Sequence, residues 1–155
     1  MDEVSSCHIR IDKEGVWYYG SEEIFRKEIV FLFYEHLKQD QSGQFIIEMG
    51  EERCYVDVED TPFVIKSVDR ALSDIDHREI INLHLNDGTL EALDPVTLWT
   101  GKDNVLYCKI RNESFRTRFS RTSYYQIARY IEHDAENDAY FIPLNGQSFY
   151  IKKSL

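Results

Sequence analysis

Arginine is concentrated in one stretch of this sequence. Lys109, Arg111, Arg116, Arg118 and Arg121 fall within thirteen residues, opposed only by Glu113, and supply five of the 18 Lys and Arg residues. A guanidinium group presents a planar fork of donors that fits phosphate or carboxylate oxygens. Arg118 and Arg121 flank Ser120, and the pattern predicts a helix opening at Arg121. The first N–H groups of a helix lack intrahelical partners and carry the positive end of its dipole, so they attract anions. We therefore read Arg118, Ser120, Arg121 and these amides as a cradle for a small anion, with Arg116 beside them. Trp17 or Tyr125 offers a face on which a base can stack. Glu59 and Asp60 can accept hydrogen bonds from a sugar or base, or orient the arginines. A competing assignment pairs Arg116 and Arg118 with Asp57, Glu59 and Asp60, so that they clamp two halves of the chain together. The two assignments coexist if the clamp leaves a cleft.

Other chemistry has less support. The sequence lacks GxSxG, HExxH, a P-loop and GxGxxG. The histidines at 8, 36, 77, 84 and 133 have no metal-ligand spacing, and His36 and His133 read as dipole partners near the ends of two helices. Asp74 to Glu79 lacks the glycine and late bidentate glutamate of a calcium loop. No metal or cofactor is expected. A hydrolase using Glu59 or Asp60 as a base finds no nucleophile or metal set to join it, so the reading leans away from an enzyme.

The chain of 155 residues carries a formal net charge of −10, with 43% hydrophobic and 14% aromatic residues. That aromatic load argues for a packed core rather than disorder. The acidity disfavours general binding to nucleic acid or to an anionic membrane. No apolar run approaches the length of a membrane span. The acidic opening lacks the apolar stretch of a signal peptide. Three cysteines, Cys7, Cys54 and Cys108, form an odd number without a CxxC motif, which reads as reduced, buried thiols in a cytoplasmic protein.

The arginine-rich segment belongs to a pattern that repeats along the chain. Residues 36–56 return in order as 130–151: Leu37 matches Ile131, Asp40 matches Asp134, Phe45 to Ile47 match Tyr140 to Ile142, and Tyr55-Val56 match Tyr150-Ile151. The first copy reads as a hairpin over 9–19, then a helix over 22–38 capped by Ser21 and apolar nearly all round, and so deep in the core. Strands follow at 44–49, 53–59 and 63–68. Residues 69–78 read as a polar connector, and 79–93 as a hairpin about Asn86-Asp87-Gly88. An irregular link over 95–104 leads to the second copy: strands 105–111 and 114–119, helix 121–133, and strands 139–144 and 148–153. On strand 114–119 the pleat separates Phe115, Thr117 and Phe119 from Arg116 and Arg118. The two helix starts differ in charge, Ser21-Glu22-Glu23 against Ser120-Arg121-Thr122-Ser123. The predicted class is α+β, with duplicated hairpin–helix–hairpin units and mainly antiparallel sheets. The units span 9–68 and 104–153 about a connector at 69–103, and the halves are expected to pack as one compact body.

Val58-Glu59-Asp60-Thr61-Pro62-Phe63-Val64-Ile65 resembles the VEDxPFVI segment of the bacterial DUF1285 family. Ile11 to Tyr18 is similar to that family's opening I-x-x-x-G-x-W strand pair, and Arg121 to Ala128 to its R-x-x-Y-Y-x-L-A helix start, with Ile127 replacing Leu. The likeness runs over about residues 9–153 and departs from the family's small-polar turn at Leu144-Asn145-Gly146. It implies a duplicated core whose second half loosely resembles pleckstrin-homology-like folds. It also implies a site between the halves for a nucleotide-like molecule, a part in signal transduction, and no established enzymatic activity. The leading expectation is a sensor module for a small anion. The alternative is an adaptor that binds a protein partner through strand edges or its acidic surface.

Overall fold

The computed structural model describes residues 4–153, so the acidic residues 2 and 3 lie outside it. The chain divides into two compact units, Met1–Pro62 and Phe63–Leu155. The boundary falls earlier than the sequence suggests. Strand 63–68 and the 69–103 connector belong to the second unit.

In the first unit, β1 (Ser5–Ile11), β2 (Trp17–Tyr19) and β3 (Glu22–Glu23) lead to α1 (Lys27–Glu35), followed by β4 (Leu37–Gln39), β5 (Phe45–Met49) and β6 (Glu52–Val58). The six strands form one sheet in the order β3-β2-β1-β6-β5-β4. Its pairs are antiparallel except β1 with β6, which run parallel with a register shift between Ser6 and Arg10. His8 lies at that shift with φ 59°.

The predicted first helix is corrected in extent and depth. Gly20, at φ 60°, turns the chain so that Glu22 and Glu23 pair with Tyr19 and Tyr18 as a strand. Ser21 therefore caps nothing, and the helix opens after Arg26 with no side-chain cap. The charge contrast between helix starts disappears with it. Nor is α1 deep in the core. Within it only Tyr34 is buried and Leu32 is exposed, as is Phe25 just before it. Tyr34 donates to the Pro62 carbonyl at 2.6 Å.

In the second unit, β7 (Phe63–Leu72) pairs with β8 (Glu79–Leu85), and β8 pairs with β9 (Leu90–Ala92). The first four residues of the predicted connector 69–78 thus continue β7, and 73–78 make the turn. The Asn86-Asp87-Gly88 turn is where the sequence places it. After a 3-10 turn come β10 (Trp99–Thr100), a second such turn, β11 (Leu106–Ile110) and β12 (Phe115–Phe119). Next are α2 (Arg121–Ala128), β13 (Glu132–Asp134), β14 (Ala139–Leu144), β15 (Gln147–Tyr150) and β16 (Lys152–Lys153). One sheet has the order β16-β10-β11-β12-β7-β8-β9, and β13-β14-β15 form another. Phe63, Val64 and Ile65 of β7 are wholly buried, as a strand covered on both faces requires. The sheets are mixed, with β12 parallel to β7 and β10 parallel to β16. The coarse α+β class holds.

Helix α2 ends at Ala128, so His133 lies on a strand, where it pairs with Asp138 at 3.0 Å rather than with a helix end. The cysteine reading is also corrected. Cys7 and Cys54 form a disulfide, and only Cys108 is a free, buried thiol. The parallel pairing of β1 with β6 brings their Cα atoms to 5.0 Å, inside the range a disulfide spans. No spacing in the sequence exposes that pairing.

The two units carry one register in common. In the first, Lys38 faces Ile46 and Ile46 faces Tyr55. In the second, Glu132 faces Phe141 and Phe141 faces Tyr150. The loop carboxylates agree as well. Asp40 accepts from the amides of Ser42 and Gln44, and Asp134 from those of Glu136 and Asn137.

Candidate anion site

Alternation on β12 separates its residues as expected. Thr117 and Phe119 are buried and Phe115 half-buried, while Arg116 is exposed and Arg118 half-buried. Across the ladder Lys109 faces Arg116 and Tyr107 faces Arg118, so one face collects three cations and a tyrosine. Like charges directly opposite repel. The Arg116 guanidinium lies over the Tyr107 ring at 5.3 Å.

Beyond Phe119 the chain turns into α2, and Ser120 fixes that turn. Its amide donates to the Ile65 carbonyl at 3.0 Å, and its side chain accepts from the Ser123 amide at 3.1 Å. Buried Ser123 donates its hydroxyl to the Ile65 carbonyl at 2.8 Å. Gln126 accepts from the Val68 amide at 2.7 Å. These bonds lock the helix start to β7. Ser120 is thus an N-cap, and the amides left for a ligand are the earliest ones of α2.

At this corner a concavity of about 270 Å³ is lined by Arg118, Ser120, Arg121, Tyr124 and Tyr125 from the β12–α2 turn and by Asn104, Val105 and Leu106 from the turn before β11. Arg121 is exposed, with its guanidinium 6.0 Å from the centre of the Tyr125 ring. Tyr125 is 59% exposed and meets Tyr124 edge-on at 5.9 Å. A planar cation beside an open aromatic face suits a flat, anionic molecule.

Four expected residues, Arg118, Ser120, Arg121 and Tyr125, therefore line one concavity, and Arg116 lies on the neighbouring strand face. Trp17, Glu59 and Asp60 belong to the first unit. Trp17 is 2% exposed and packs on Phe33 and Tyr34 at 5.9 and 4.7 Å between ring centres. It is a core residue with no face to offer a base. Glu59 accepts from the Lys13 amide at 2.9 Å and, through its own amide, donates to Ile11, which holds the turn after β1. Of the remaining basic cluster, Arg111 turns away to Asp87 at 2.6 Å and lies 4.3 Å over the Phe63 ring.

Sequence reasoning missed the wall at Asn104. Its signal is conformational: Asp103 and Asn104 both have positive φ, 57° and 61°, which Asn and Asp adopt more readily than most residues. Among the described residues no group of three His, Cys, Asp or Glu side chains is placed to hold a metal. Nor, among the described residues, is any helix long and apolar enough to cross a membrane.

Residues 2–61 match the model of a domain of unknown function, the DUF1285 N-terminal domain. The chain is similar to the crystal structure of a DUF1285 family protein from Silicibacter pomeroyi DSS-3, at 19% identity and a TM-score of 0.77, over 96% of this chain and 81% of that one. A second similar structure, of a DUF1285 family protein from Shewanella baltica OS155, shares 22% identity with a TM-score of 0.64, over 78% of this chain and 90% of the other. No curated protein matches the chain.

Proposed function

We propose that this protein, whose residues 2–61 match the DUF1285 N-terminal domain model, is a sensor or adaptor module whose second unit binds a small, flat, anionic molecule of nucleotide-like chemistry. The observation that carries this reading is the concavity at the start of α2, with Arg118, Arg121, Ser120 and Tyr125 on its wall. The arginines meet the anion, and the Tyr125 ring meets the planar part. The volume, about 270 Å³, lies near the lower bound of small-molecule sites and suits a mononucleotide or smaller.

The same reading takes the two units as copies of one ancestral piece. Hairpin, helix, short strand and hairpin follow in each, and the shared register of Lys38–Ile46–Tyr55 and Glu132–Phe141–Tyr150 supports it. In this view only one copy has acquired an arginine-lined helix start, and the other keeps the piece as scaffold.

A thermal-shift series with mononucleotides, cyclic nucleotides and pyrophosphate tests the assignment. A ligand at a hundred times its Kd adds about 2.7 kcal/mol, a shift of several degrees. Arg121→Ala should erase the shift without lowering the melting point of the free protein. Absence of any shift at millimolar ligand, or a shift that survives Arg121→Ala, overturns the reading.

A further inference from the structure

We propose that the first unit holds a second binding site of opposite chemistry, for a small molecule with an apolar body and an uncharged or cationic head. A concavity of about 810 Å³ opens in this unit, within the range of small-molecule sites. Ile9, Ile47 and Met49 of the sheet form one wall, and Ile29 and Phe33 of α1 form another. Ile29 and Phe33 are four residues apart, so both lie on one helix face.

The exposure of α1 points to the same place. Its sequence, KEIVFLFYE, is apolar enough for a core helix, yet Tyr34 alone is fully buried. Ile29 and Phe33 remain half-exposed because they border open volume. An apolar ligand there recovers the burial these side chains forgo. Lone exposed hydrophobes are ordinary, but a concave, continuous set is not.

The rim selects the head group. Glu51, Glu52 and Arg53 line the mouth, all exposed. The lining therefore carries two carboxylates against one guanidinium. The protein as a whole carries −10. A fatty-acid carboxylate therefore meets like charge at the mouth, whereas an ammonium or a neutral head does not. The Cys7–Cys54 disulfide, which ties β1 to β6, forms part of the wall.

Nile red, a neutral apolar dye, probes the site in the full chain. It should bind saturably at one site with a blue-shifted emission. Dodecyltrimethylammonium, kept below its micelle concentration, should displace it at a tenfold lower concentration than dodecanoate. Met49→Trp, which fills the mouth, should weaken dye binding at least tenfold, and Phe25→Ser, an exposed apolar residue outside the pocket, should leave it intact. Glu51→Gln with Glu52→Gln should equalise the two competitors. In the unsubstituted protein, dodecyltrimethylammonium should shift the methyl resonances of Ile9, Ile29 and Ile47 and leave Ile127 and Ile142 in place, a readout independent of any variant's folding. The proposal fails if dye binding does not saturate, if dodecanoate competes as well as the ammonium, or if the shifted methyls lie in the second unit.

Discussion

Cys7 and Cys54 are 47 residues apart in sequence and bonded in the fold, joining β1 to the parallel strand β6. Closing a loop of that length removes chain entropy from the unfolded state worth about 4 kcal/mol in the loop-closure description. Cys7→Ser with Cys54→Ser should lower the unfolding free energy by an amount approaching that, read by urea denaturation with and without reductant. A thiol count checks the bond itself. Burial pushes the Cys108 thiol far above its ordinary range, so it should resist alkylation in the native protein and react once unfolded. Unfolded, unreduced protein should then yield one thiol and reduced protein three. Three thiols without reductant would remove the bond.

Two arginines of the basic cluster should separate in their effects. Arg111 pairs with Asp87, whose side chain is only 5% exposed, and covers Phe63. Arg111→Ala leaves Asp87 Oδ2 without that partner, while Oδ1 keeps the Thr89 amide and hydroxyl, and should cost about 1–3 kcal/mol. Arg121 is exposed, and Arg121→Ala should stay within about 0.5 kcal/mol of the parent while abolishing anion binding. Equal stability losses from the two substitutions would contradict this division of labour.

Gly101 is a spatial requirement. A Cβ there would lie 2.7 Å from Cε2 of Tyr107, whose ring stacks on Trp99 at 5.2 Å and so cannot swing aside freely. Gly101→Ala should destabilise the second unit by about 1–3 kcal/mol. The tryptophan emission of Trp99 should change with it. An unaltered melting point would show that the ring yields.

Asp134 gives a pH dependence of defined sign. Hydrogen bonds from Asn137, then from Tyr150, hold its carboxyl below the usual carboxylate range. A depressed carboxylate contributes stability at pH above its unfolded value, and that contribution is lost as pH falls through the lower, folded value. The Asp134 carbon resonance should therefore titrate below an ordinary aspartate. Tyr150→Phe should move its midpoint upward. An unmoved midpoint would mean the 2.8 Å Tyr150 contact carries no weight.

Much of this fold is written in local chemistry. Asn86-Asp87-Gly88 and Asn145-Gly146 supply the positive φ that tight hairpins need, so those hairpins are visible in the residues. The alternation of β12 sorts Thr117 and Phe119 from Arg116 and Arg118 because one face is buried. Ser120 and the polar residues after it mark the start of α2. The corner formed by Arg118, Ser120, Arg121 and Tyr125 was legible because one short segment supplies all four.

What the residues could not reveal depends on partners distant in the chain. Glu22 and Glu23 read as a helix start, but strand pairing with Tyr19 and Tyr18 overrides that local preference. Trp17 looks like a stacking platform until Phe33 and Tyr34 enclose it. Cys7 and Cys54 look like isolated thiols until a parallel strand pair brings them together. The turns, the strand faces and the arginine corner follow from residues close together in the chain, because neighbours within a few residues decide them. The disulfide, the burial of Trp17, the half-exposed α1 and the apolar pocket beside it arise from long-range folding, because sheet order and packing between distant segments set which surfaces meet.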